Sequence, residues 1–215
     1  VDSKASETVV YVYDKYGNTT KTTSSKTEDK KTTVTATDYT YDLFGNVLTS
    51  TSGEEKSSYI YDAAGRTLLA NEKGECTRTL YDSLGRTIQQ IEPQDYDAAK
   101  DGLPSKNTYA DPKAGHTYVY AENGTLTSET NRLGKTTTYQ YNEKGNKILE
   151  SFDIYQFNYY DHGELMAVTV AGEAKVLYLY NTKHNLTYEL YASGQSIQYK
   201  YDDDGNLTGQ YKNYS

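Results

Sequence analysis

The chain has one cysteine, three prolines and no tryptophan in 215 residues. Cys76 stands alone, which excludes an intrachain disulfide frame. Pro93, Pro104 and Pro112 all fall in one stretch, so the rest of the chain is free of the residue that cannot donate to a strand ladder. No apolar run approaches the ~18 residues of a membrane-spanning helix. Positive charge is in short supply: 22 Lys and Arg against 30 Asp and Glu leave a net charge of −8. That balance disfavours nucleic acid, whose phosphates need a basic footprint. It equally disfavours attraction to an anionic membrane. Hydrophobic residues reach only 35%. Globular domains usually have roughly 45–50%, on a count that treats Gly and Tyr differently. A thick aliphatic core is therefore not available.

What the chain does have is tyrosine, 25 of them, arranged in time. Tyr41, Tyr61 and Tyr81 each open a Tyr-Asp-x-x-Gly-(Asn/Arg) phrase with Asp42 and Gly45, Asp62 and Gly65, and Asp82 and Gly85. The phrase recurs at Tyr13 (Asp14, Gly17), Tyr120 (Gly124), Tyr141 (Gly145) and Tyr201 (Asp202, Gly205), and in damaged form at Tyr160 and Tyr180. Successive gaps from Tyr13 are 28, 20, 20, 39, 21, 19, 20 and 21. A fixed period of this length marks a repeat architecture.

Each phrase has a turn mechanism. Asp is favoured at the first position of a type I turn, and Gly supplies the left-handed residue that closes it onto a returning strand. About ten residues later comes a second turn signal, at Gly53, Gly74, Gly115, Gly134, Gly172 and Gly194. Between turns the chain alternates, as in Tyr39-Thr40-Tyr41 and Tyr59-Ile60-Tyr61, which puts two tyrosines on one strand face. The expected fold is all-β, built of repeated antiparallel hairpins in a curved single-layer sheet, with tyrosines of neighbouring repeats stacking into cross-strand ladders. One array fills 1–215, with irregular insertions near 19–33 and 91–115. The first is polar and reads as an elongated exposed hairpin or loop. The second holds the prolines, and its segment from Tyr96 to Asp101 has room for one turn of helix. As a loop on a rigid scaffold, it is also the place to look for specific recognition.

These phrases resemble the Tyr-Asp (YD) or Rhs repeat family, and the resemblance runs from Tyr11 to Asn206. It implies a large bacterial surface or secreted protein, with eukaryotic relatives among the teneurins. It also implies a β-strip that spirals into a shell, either open or partly closed here. In toxin-bearing members such a shell encloses a toxic domain; in others it is linked to adhesion or carbohydrate contact. The chain starts just before a repeat and stops just after one, as expected of a section of a longer protein. Tyr160-Asp161-His162-Gly163 reads as one residue short, and His184 stands where the phrase has Gly.

Candidate chemistry is sparse. Asp202-Asp203-Asp204-Gly205 echoes a calcium loop but lacks the closing Glu. His116, His162 and His184 lie far apart in sequence and show no metal spacing with Cys76. The neighbours of Cys76 do not lower its pKa by charge. No carboxylate pair stands out from the many. The reading is therefore no catalytic residue, no cofactor and no metal. The phrase residues are structural turn positions, and the partners are neighbouring repeats of the parent chain. The expected role is a wall or scaffold outside the cell. The alternative is a module that presents tyrosine faces or the 91–115 loop to a surface glycan or protein.

Overall fold

The computed structural model describes residues 5–28 and 31–214. The described residues are almost wholly β, with 18 strands and one short helix among them. The chain divides into two compact units, residues 1–116 and 117–215. The first unit runs β1 (Ser6–Tyr13), β2 (Thr19–Glu28), β3 (Lys31–Tyr41), β4 (Val47–Ser52), β5 (Glu55–Tyr61), β6 (Thr67–Glu72), β7 (Glu75–Tyr81), β8 (Thr87–Ile91) and α1 (Ala98–Asp101). At the boundary begins β9 (His116–Tyr120), followed by β10 (Leu126–Thr130), β11 (Thr136–Tyr141), β12 (Lys147–Phe152), β13 (Tyr155–Tyr159) and β14 (Leu165–Val170). The chain ends with β15 (Glu173–Tyr180), β16 (Leu186–Tyr191), β17 (Ser196–Tyr201) and β18 (Leu207–Asn213).

Within each unit every strand pairs antiparallel with its neighbour in the chain, β1 through β8 and β9 through β18. Such a meander follows from short connections, which favour pairing of consecutive strands. The polar stretch after Thr19 forms most of the two longest arms, β2 and β3. Their Thr and Ser side chains pair across the ladder, as in Thr27 and Thr32 at 2.9 Å. The ladders slip by one residue at the phrase tyrosine, for example between Thr40 and Tyr41 and between Ile60 and Tyr61. The cause is local: the left-handed Gly that closes the turn adds a residue to one strand and leaves a bulge.

The expected Tyr ladder does not form. In the strand registers Tyr39 faces Ser50, Tyr59 faces Ala70, Tyr139 faces Glu150 and Tyr178 faces Glu189. Phrase strands alternate with return strands, so successive phrase tyrosines are two strand spacings, about 9.5 Å, apart. The Tyr41, Tyr61 and Tyr81 hydroxyls reach the intervening strand rather than their counterparts, and only Tyr160 and Tyr180 among the described phrase tyrosines meet ring to ring, edge to face at 6.0 Å. Buried apolar residues are few, as composition required. Among the described residues they are Leu68, Leu69, Leu80 and Ile91 in the first unit and Ala167 in the second.

Candidate functional site

The defining surface is the row of phrase turns. At each, the first residue accepts a bond from the closing residue, and its own N–H donates to the residue after that. Asp42 O accepts from Gly45 N at 3.3 Å, and Asp42 N donates to Asn46 O at 2.9 Å. The Asp side chain then completes the turn. Oδ1 of Asp42 accepts from the N–H groups of Phe44 and Asn46, and Oδ2 accepts from the Asn46 side chain at 2.9 Å. Asp14 and Asp202 do the same with Asn18 and Asn206. At Asp62 and Asp82 the partner is the guanidinium of Arg66 or Arg86, with Nε at 2.7 and 2.6 Å. This is why the phrase ends in Asn or Arg: both reach back to the same carboxylate oxygen. The turn beginning at Ala121 lacks the carboxylate, while Asn131, Asn142 and Asn181 supply Oδ1 in its place.

Electrostatics follow from these bonds. The Asn18, Asn46 and Asn206 amides hold the carboxyls of Asp14, Asp42 and Asp202 below the ordinary value of 3.8. At Asp62 and Asp82 burial works in the opposite direction. The backbone N–H and guanidinium of Arg66 and Arg86 outweigh it, so these carboxyls are lowered too.

In the first unit the phrase tyrosine ties its turn to the one before it. Tyr41 Oη donates to Thr19 O at 2.7 Å, Tyr61 to Val47 O at 2.8 Å and Tyr81 to Thr67 O at 3.0 Å. In all three cases the acceptor is the first residue after the preceding phrase. The guanidinium of Arg66 also lies over the Tyr81 ring, 4.7 Å from its centre. Each hydroxyl bond contributes about 1 kcal/mol net, and phenylalanine has no hydroxyl to make it. In the second unit Tyr160 Oη donates to Tyr178 O at 3.1 Å, and three glutamates accept from tyrosines outside the phrase position. Glu129 accepts from Tyr139 at 2.9 Å, Glu150 from Tyr159 at 3.3 Å, and Glu189 from Tyr199 at 2.7 Å and from Tyr191. The Glu189 carboxylate pushes the Tyr191 phenol up to about 12, which keeps it a donor.

The segment after β8 is a docked plug rather than a free loop. Asp97 caps α1 by accepting from Ala99 N at 2.9 Å. The helix delivers Asp101, which is buried against the fully buried Arg78 of β7, with Nε to Oδ1 at 2.9 Å. Arg78 also donates to Leu68 O at 2.7 Å, to Thr108 O at 3.3 Å and to Lys106 O. Tyr96 Oη donates to the other oxygen of Asp101 at 2.8 Å. Farther along, Gln89 donates to Asp111 O and Ala114 O at 2.9 and 2.8 Å. Gly115, expected as a hairpin turn, instead lets the chain pass over β8, where a Cβ would stand 2.1 Å from Gln90 O. The prolines signalled the irregularity, but no sequence signal paired Arg78 with Asp101.

Other candidates resolve quickly. Cys76 lines an open cleft of about 750 Å³ with Glu92 and Tyr96, and burial, then Asp101, pushes its thiol up. Asp202 is occupied by turn bonds. Among the described residues no group of three His, Cys, Asp or Glu side chains is arranged to hold a metal. The 160–163 segment is a full turn, not a short one: Tyr160 takes the place of Asp, with Gly163 N donating to Tyr160 O at 2.9 Å. The next turn brings His184 beside His162, one repeat period away in the sequence.

Regular turns, stapling tyrosines and neighbour-only pairing define a YD-repeat scaffold. The Teneurin YD-shell family matches residues 1–151, and the chain belongs to that family. Its role is accordingly that of a structural shell or scaffold section. No curated protein matches the chain. Among solved structures it is similar to a chain of the Photorhabdus luminescens Tc holotoxin pore, with 16% identity and a TM-score of 0.49 over 91% of this chain and 10% of that one. It is also similar to TcdB2-TccC3 without its hypervariable C-terminal region, with 14% identity and a TM-score of 0.39 over 95% of this chain and 14% of that one. The chain thus spans about a tenth to a seventh of the length of these structures.

Proposed function

We propose that this chain is a length of wall in a large secreted protein, one section of a β-shell or scaffold that separates an interior from its surroundings. In the bacterial setting implied by the YD resemblance, the enclosed cargo is a toxic domain carried elsewhere in the parent chain. One observation carries the reading. The groups that recur, the phrase Asp, Tyr and Asn or Arg, are consumed in bonds within and between repeats, as in Tyr61 to Val47. Side chains used this way make a continuous surface and leave few donors free for a ligand. The partners are neighbouring repeats of the parent. Strand β1, with Val9, Val10, Tyr11 and Val12 exposed, suits one of them. The row of apolar turn tips at Tyr16, Leu43, Phe44 and Leu84 suits another.

A second reading has one observation in its favour. Exposed Tyr16 and Phe44 border an open cleft of about 610 Å³ with Asp14, Asn18 and Tyr39, a combination of aromatic faces and hydrogen-bonding groups able to take a sugar. The deciding experiment is a binding screen of the chain against a glycan panel and isolated cell-wall material, with Tyr16→Ser and Phe44→Ser variants alongside. The wall reading expects no saturable binding. Saturable binding abolished by either variant, with the melting temperature unchanged, replaces it with the adhesion reading.

A further inference from the structure

Two neighbouring turns, 160–163 and 181–184, are the ones that depart most from the phrase. They share an open cleft of about 390 Å³ lined by Tyr160, His162, Glu164, Tyr180 and His184. We propose that His162 and His184 form a binding site for a divalent transition-metal ion of the zinc, nickel and copper class.

The first argument is geometric. The two imidazole centroids are 5.2 Å apart, with the rings inclined at 60°. A metal about 2.0–2.1 Å from one nitrogen of each ring lies about 3.2 Å from each ring centre, and a tetrahedral angle then separates the centres by about 5.2 Å. The ring centres already stand at that separation, with the rings edge to face, so a small rotation of either ring suffices to turn a nitrogen of each toward a shared ion. The second argument is orientation. Glu164 Oε1 is hydrogen-bonded to His184 Nδ1, which directs a proton to Nδ1 and leaves Nε2 as the ligating nitrogen. A carboxylate behind a histidine is the usual outer support of such a ligand.

The third argument is backbone cost. The other eight phrase turns close on Gly, whereas His184 takes a φ of 64°. A left-handed non-glycine residue costs roughly 1–2 kcal/mol, and such strain concentrates where a side chain is needed. The ring edge of Tyr160 on Tyr180, at 6.0 Å, gives the cleft a fixed wall. With two protein nitrogens, the remaining positions on the metal fall to water. Imidazole ligands select zinc, nickel and copper over magnesium and calcium, which prefer oxygen.

The test is calorimetric titration of the intact chain at neutral pH with zinc, nickel, copper and magnesium chlorides. One equivalent is expected for the first three, tightest for copper, with none for magnesium. His162→Ala and His184→Gly should each weaken binding at least tenfold, and Glu164→Gln by about tenfold. His116→Ala should leave it unchanged. His184→Gly restores the residue used at the other turns, so a retained melting temperature separates lost binding from lost fold. Binding that survives both histidine variants overturns the proposal. So does binding lost in His116→Ala, or the lack of saturable binding for all three metals.

Discussion

Removing the Asp101 carboxylate should cost the first unit more than any surface change in the chain. Asp101→Ala leaves the Arg78 guanidinium fully buried without its counter-charge, and it strands the Tyr96 hydroxyl. Breaking one side of a buried pair typically costs about 3–5 kcal/mol. The bonds from Arg78 to Leu68 O and Thr108 O remain, so the lower half of that range is expected. For a unit of this size about 1 kcal/mol shifts the melting temperature by about 4 °C, so the drop should be roughly 12–16 °C. Scanning calorimetry gives the shift. Amide exchange locates it, with protection lost first across β6–β8 and the plug. Arg78→Met combined with Asp101→Leu should cost far less, because no charge is left buried. A drop under 3 °C for Asp101→Ala, or a double variant as damaged as the single one, would refute the view that the pair locks the plug.

The remaining expectations are smaller or more local. In urea denaturation Gly115→Ala should destabilise the first unit by about 3 kcal/mol, since the new Cβ meets Gln90 O in a left-handed backbone; Gly145→Ala, with open space around it, should cost only about 1 kcal/mol in the same measurement. Tyr61→Phe should cost about 1 kcal/mol through the lost bond to Val47 O, while ring burial is kept. Acid should loosen the phrase turns. Their carboxyls are held below 3.8 in the fold, so their contribution is complete above the unfolded value and disappears as pH falls through the lower folded values. A melting temperature flat from pH 7 to 5 that falls below about pH 4 is the expected profile, and Asp42→Asn should flatten its acid limb.

The sequence by itself determined the architecture. The twenty-residue period, the Asp and Gly of each phrase and the Tyr-x-Tyr alternation are local signals, and local backbone physics converts them directly into turns and strands. Asp14, Asp42 and Asp202 bond within four residues of themselves, so their roles are readable without the fold. The Tyr96–Asp101 turn of helix and the breakdown of the pattern at the prolines were legible for the same reason. Tertiary structure decided what lies over what. Apart from Tyr160 and Tyr180, the phrase-strand tyrosines meet backbone carbonyls and glutamates rather than their counterparts one repeat away, because the return strand intervenes between them. Arg78 meets Asp101 across 23 residues, and His162 meets His184 across adjacent turns. The first pairing has no spacing signature, while the second follows the repeat period only to the level of adjacent turns. Each depends on register and on the path of a connecting segment, which are fixed by packing and by the ladder as a whole rather than by neighbouring residues.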